Sequence, residues 1–121
     1  MHYNLSLKDR PFRAIKVGTK KIETRVPTSY DKTPYKELKF GDTIIFTNKI
    51  TNEVMEVEVL RVAHYLDIKT LLEAEGIQNT LSSGLSLNEA TESYNTVFSE
   101  YKENIPKHGI YAIAIKLKEE E

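Results

Sequence analysis

The sequence predicts an α+β domain: a small, mostly antiparallel sheet curled into an open barrel and flanked by helices. Three observations carry that prediction. Five segments read as strands, near residues 2–7, 20–26, 43–47, 54–62 and 109–117. Residues 49–53 read as the turn of a hairpin joining the third to the fourth. Helical patterns are few and sit between strands, an order that suits hairpins curling on themselves with helices outside.

The elements follow in chain order. Residues 2–7 alternate, with Tyr3, Leu5 and Leu7 on one face. Asp9 is placed to cap a short helix through Phe12, Ile15 and Lys16, with Pro11 tolerated in its first turn and Gly18 as a left-handed stop. A second strand runs to Pro27, and residues 27–41 are rich in turn formers and read as a loop. Gly41 and Asp42 lead into the apolar strand 43–47, and its partner 54–62 leaves Glu56, Glu58 and Arg61 in solvent.

Asp67 caps a helix whose apolar positions are Ile68, Leu71, Leu72 and Ala74, and Gly76 ends it. A turn at Ser82, Ser83 and Gly84 precedes Ser86, which with Glu89 forms a capping box. That box opens a helix from Leu87 to about Tyr101, with Ala90, Tyr94, Val97, Phe98 and Tyr101 at helical spacing. The last strand, 109–117, looks buried along most of its length. Residues 1–117 are expected to form one domain and 118–121 a disordered acidic tail.

At 121 residues the chain supports one core. Hydrophobic residues make up 40% and charged residues 29%, as in ordinary globular proteins. No apolar run is long enough to span a bilayer and no basic-then-apolar leader opens the chain, so neither membrane span nor secretory signal is expected. The absence of cysteine excludes disulfides, thiolate catalysis and cysteine metal sites, and fits a cytoplasmic home. Net charge is −1, yet residues 1–50 hold 11 Lys/Arg against 5 Asp/Glu, and residues 51–121 hold 6 against 13. Such a chain does not coat nucleic acid broadly; any such contact belongs to a local cleft.

The most informative stretch is residues 18–25, Gly-Thr-Lys-Lys-Ile-Glu-Thr-Arg. Strand alternation puts Lys21, Glu23 and Arg25 on one face and Ile22 on the other. A carboxylate among cations stays ionised and can orient a donor or act as a base, while Lys beside Arg can hold phosphate or an oxyanion. The bland alternative is a salt-bridge ladder on a solvated edge. Tyr30 and Tyr35, in the long loop, are placed either to stack on a ligand or to pack the loop. Tyr94, Phe98 and Tyr101 read as core more than as a stacking platform. His2, His64 and His108 are scattered without metal-ligand spacing, so no metal and no cofactor is expected. No nucleophile elbow or phosphate loop is present.

At these residues the chain resembles the ASCH domain family, whose hallmark is Gly-x-Lys-x-x-Glu-x-Arg. Gly18, Lys20, Glu23 and Arg25 match its four fixed positions. Pro11, Phe12, Ala14, Ile15 and Lys16 resemble the family's first helix, and residues 40–46 its Gly-Asp strand entry. Residues 71–76, the helix from Ser86 and the ending at 109–113 resemble a common bacterial branch, so the likeness covers nearly the whole chain. It implies a PUA-like barrel with a motif-lined cleft for RNA or a nucleotide-like ligand. One branch of the family hydrolyses the acetyl amide of N(4)-acetylcytidine, using the motif Lys, a Thr where this chain has Glu23, and a distant Glu. Lys20 matches that set; Glu23 departs from it, and Thr24 is one residue off and expected on the opposite strand face.

Three functions follow as expectations. As a binding module, Lys20, Lys21 and Arg25 would hold phosphate or a base edge, Glu23 would accept from a base or ribose donor, and Tyr30 and Tyr35 would stack. As a small hydrolase, an amidohydrolase or ribonuclease, Lys20 and Glu23 would be catalytic, with Arg25 steadying the oxyanion. As a structural domain, the three charges would brace a cleft with no room for a ligand. Oligomeric state is left open.

Overall fold

The computed structural model describes residues 1–81, 86–96 and 100–118, with the side chains of 95 and 96 left aside. The expected turn at 82–84, Val97 and Phe98, and residues 119–121 of the expected tail lie outside the described residues.

The order is β1 (His2–Leu7), α1 (Asp9–Val17), β2 (Ile22–Arg25), a 3-10 turn (Tyr35–Glu37), β3 (Thr43–Asn48) and β4 (Val54–Tyr65). Then come α2 (Ile68–Glu75), α3 (Ile77–Thr80), α4 (Leu87–Thr96), α5 (Tyr101–His108) and β5 (Ile110–Leu117). The strands form one mixed sheet in the order β1-β3-β4-β5-β2. Three pairings are antiparallel; β1 and β3 run parallel, His2 opposite Thr43. The two edges, β1 and β2, face each other across a seam that the Arg25 guanidinium bridges by donating to the Ser6 carbonyl at 2.9 Å. The expected open, mostly antiparallel barrel with flanking helices is the fold observed.

Burial falls into two clusters on the two faces of the sheet. Inside the curl lie Leu5, Leu7, Phe12, Ile15, Ile44, Phe46, Val57 and Val59. Under the helices lie Ile22, Ile68, Leu71, Leu72, Tyr94 and Ile105. Strand β5 serves both, with Ile113 and Ile115 turned inward and Ile110, Ala112 and Ala114 toward the helices. Its burial on both faces removes the polar alternation expected of a half-exposed antiparallel strand.

Several local expectations hold for their stated reasons. Gly18 ends α1 at φ 89°, a left-handed conformation that side chains resist. Asp67 caps α2 by accepting from the Thr70 amide at 2.8 Å. Ser86 and Glu89 form the reciprocal capping box, both bonds at 3.3 Å.

Others are corrected. Asp9 does not cap α1: Lys8 holds that position, and the Asp9 carboxylate instead accepts from Asn48 and Arg13, each at 2.9 Å. Ala74 is exposed and Glu75 buried in its place. The helix expected from 87 to 101 ends its described span at Thr96, and a separate helix, α5, runs on from Tyr101. Arg61 stays exposed as expected, and it also pairs with Glu75, its Nη1 at 3.0 Å from Oε2. Lys118, assigned to the tail, is anchored through its amide to the Glu56 carbonyl at 3.0 Å and through Nζ to Thr43 Oγ1 at 2.6 Å.

Candidate functional site: a charged cleft at the barrel seam

The seam opens into a cleft of about 450 Å3 between the β1 and β2 edges. Local geometry delivers the motif to it. After Gly18 the chain doubles back on α1, and the amides of Thr19 and Lys20 donate to the Ala14 carbonyl at 3.0 and 3.1 Å. The Lys21 amide then bonds the Asn79 carbonyl at 2.7 Å, tying the motif to α3. This reversal sends the Lys20 side chain inward, where it is only 5% exposed.

Buried, Lys20 is fully served. Its Nζ donates to the Ile22 carbonyl at 2.8 Å and to the Thr80 carbonyl, and stands 3.5 Å from Glu23 Oε1. Glu23, also 5% exposed, accepts the Thr24 amide on Oε1 at 3.1 Å and two Arg25 donors on Oε2. Arg25 Nη1 lies 3.6 Å from Asp31, whose carboxylate also receives the Tyr35 hydroxyl.

The strand register explains this arrangement. Lys21 pairs its carbonyl with Ile115 on β5, so Ile22 and Thr24 turn their backbone groups to the open side of β2. Lys20 covers the Ile22 carbonyl and Glu23 covers the Thr24 amide. The motif side chains thus satisfy a strand edge that has no neighbour.

Electrostatics follow from burial and pairing. Burial drives the Lys20 ammonium below its ordinary pKa, with Glu23 opposing. Burial works to raise Glu23, but Arg25 and Lys20 outweigh it and hold the carboxylate below its usual value. Arg25 is held above its own, burial being overcome by Glu23.

Of the residues singled out from sequence, Lys20, Glu23, Arg25 and Tyr30 line the cleft. Lys21 does not. It precedes β2, so strand alternation does not reach back to it; it is exposed and lines a different groove. Tyr35 does not either: at 1% exposure it is core, 6.1 Å from the Tyr111 ring, and the expectation of a loop tyrosine free to stack is corrected. Thr24 does turn away from Glu23, toward the helices, where Oγ1 meets the Tyr94 hydroxyl at 2.7 Å. Because β2 is an edge, both of its faces border the cleft, and Tyr94 and Tyr101 line it together with Thr24.

Sequence reasoning missed the rim. Lys8, Arg10 and Lys49 converge on the cleft from the β1–α1 junction and the β3–β4 turn. Their separation along the chain hides the cluster; only the parallel pairing of β1 with β3 brings Lys49 beside Leu7, whose carbonyl accepts its amide at 2.9 Å. Among the described residues no three His, Asp or Glu side chains converge as a metal set requires. No helix among them is long and apolar enough to cross a membrane.

The chain is an α+β domain, an open mixed barrel with flanking helices and a charged cleft at its seam. Within that class the chain belongs to the ASCH domain family, whose model matches residues 5–119. It is similar to the crystal structure of hypothetical protein PH0355, at 32% identity over 98% of this chain and 100% of that one, TM-score 0.80. It is also similar to the solution structure of PF0455 from Pyrococcus furiosus, at 29% identity over 99% and 100%, TM-score 0.71. An ASCH domain from Lactobacillus crispatus shares the fold at TM-score 0.59 and 16% identity, over 96% and 79%. No curated protein matches the chain.

Proposed function

We propose that the cleft binds one nucleotide unit, presented by single-stranded or looped RNA. One observation carries the reading: a preorganised, buried Lys20–Glu23–Arg25 cluster stands on the wall of a 450 Å3 cleft rimmed by Lys8, Arg10 and Lys49. In that wall Lys20 and Glu23 are paired and hold Arg25 in place, and its partly exposed guanidinium is the motif group that meets a base edge. The rim supplies phosphate contacts, and exposed Tyr30 offers a ring for stacking. An unpaired base can enter such a cleft; a base in a regular duplex is held away from it. Lys21 and Tyr35 take no part in this assignment. The three motif charges do pair among themselves, as a purely bracing role requires, but the cleft beside them leaves room for a ligand.

Fluorescence anisotropy with a short labelled single-stranded RNA tests the reading. Binding should weaken with salt and fall about tenfold or more in Arg25→Ala, with a duplex of the same length binding less well. Equal affinity for wild type, Arg25→Ala and Lys49→Gln would sink it.

A hydrolytic reading stands second, on the proximity of Lys20 to Glu23 and the lowered pKa of that buried amine. It ranks lower because the Lys20 donors already serve two carbonyls and a carboxylate. Incubation with N(4)-acetylcytidine decides it. Deacetylation by wild type that disappears in Lys20→Ala would promote the enzyme; no turnover leaves the binder.

A further inference from the structure

A second concavity, about 470 Å3, adjoins the cleft at Lys20, which lines both. Its walls come from the end of α1, residues 20–22, the β4 irregularity and the end of β5. The bulge between Val59 and Arg61 breaks strand alternation, so Leu60 and Arg61 are both exposed and both reach the groove.

The groove is cationic. Lys16, Lys21, Arg61 and Lys116 line it against one carboxylate among the described residues, Glu75. Glu75 is already neutralised, gripped by both Arg61 amino groups and by the Tyr65 hydroxyl at 2.5 Å. Lys16 leans on Glu53 at 3.3 Å, an exposed pair that water and salt weaken. Lys21 and Lys116 give the groove its remaining positive charge, above a floor that includes Ile22 and Ala114.

We infer that this groove carries the phosphate backbone of a single-stranded RNA as it leaves the cleft. The inference rests on the function proposed above. A polyanion suits it because the cations come from four separate parts of the chain, the end of α1, the residue before β2, β4 and β5. RNA suits it better than an acidic polypeptide because the groove adjoins the cleft proposed above, Lys20 lining both.

The test compares cytidine 5′-monophosphate with a labelled ten-nucleotide RNA on wild type, Lys116→Gln and the double variant K21Q/K116Q. The double variant should bind the oligonucleotide about tenfold more weakly, its log–log salt slope reduced by about 1.4. Lys116→Gln should leave mononucleotide affinity unchanged. Wild-type slope and affinity in the double variant, with Arg25→Ala still weakening the binding of both ligands about tenfold or more, overturns the groove alone. Failure of wild type to bind either ligand overturns the cleft and the groove together. Displacement of the RNA by polyglutamate as readily as by unlabelled RNA of equal charge overturns the assignment to nucleic acid.

Discussion

Arg25 stands two residues beyond Glu23 on β2 and grips one oxygen of its carboxylate twice, through Nε at 3.0 Å and Nη2 at 2.8 Å. Extended backbone puts residues i and i+2 on one face, so this pair is a local product of the strand. Its other partners are not local. Ser6 comes from β1, Asp31 from the long loop, and Thr80, which seats Lys20, from α3. The cluster therefore fastens three separate parts of the chain around the seam.

Removing the central charge should be expensive. Glu23→Gln leaves Lys20 buried without a carboxylate and half-buried Arg25 with Asp31 alone, and urea unfolding should register a loss of about 3–5 kcal/mol. The pH dependence has a definite sign. Glu23 and Asp31 have folded pKa values below their usual ones, so their contribution is present above the ordinary carboxylate range and is lost as pH falls through the folded values. Melting temperature should drop below roughly pH 4 in wild type, and less steeply in Glu23→Gln. Parallel acid profiles would contradict this.

At the alkaline end the tyrosines dominate. Burial raises Tyr35, Tyr94 and Tyr101, so the folded chain keeps protons that the unfolded chain gives up near pH 10. Stability should fall as pH climbs above about 10. Lys20 works the other way, because its folded pKa lies below the unfolded value and its contribution grows as pH rises toward about 10.4. One amine against three phenols leaves the fall in place, and Tyr94→Phe should make it shallower in a pH-dependent denaturant series.

Thr24 and Tyr94 share a buried hydroxyl pair between β2 and α4. Thr24→Val and Tyr94→Phe each remove this bond and should each cost about 1–3 kcal/mol. The double variant loses the same single bond, so its loss should be clearly smaller than the sum. Additive losses in the double-mutant cycle would mean that the two hydroxyls do not act as a pair.

Tyr30 and Tyr35 lie five residues apart in one loop and should behave oppositely. Tyr30 is 62% exposed, so Tyr30→Ala should change unfolding free energy by less than about 0.5 kcal/mol while weakening RNA binding by roughly 1–3 kcal/mol. Tyr35 is core and holds Asp31, so Tyr35→Ala should cost about 3–5 kcal/mol in stability. An RNA affinity untouched by Tyr30→Ala would remove that ring from the site.

What the sequence made legible was governed by neighbours in the chain. Gly18, the Asp67 cap, the Ser86–Glu89 box and the β3–β4 hairpin are local chemistry, and each stands where its residues put it. The Glu23–Arg25 half of the site was legible for the same reason. The rest depends on contacts between distant segments. Lys20 rather than Lys21 faces inward because the chain doubles back on α1 before the strand begins, a turn that alternation cannot describe. Lys8, Arg10 and Lys49 form a rim only once the parallel β1–β3 pairing exists. Helix α5 was hidden by Pro106, which lacks an amide and argues locally against the helix that contains it. Glu75 reads as a surface residue until Arg61 and Tyr65 arrive from β4 to receive it.

The covering of the β2 edge by Lys20 and Glu23 has a consequence for every substitution in the motif. Those side chains occupy the backbone groups through which a foreign strand would add to the sheet. Replacing either one opens a template for intermolecular pairing as well as altering a pocket. Loss of the proposed ligand contacts and onset of self-association are thus physically linked in this domain. Light scattering belongs beside every binding assay on a motif variant, and the motif's tolerance to change is bounded by solubility as well as by recognition.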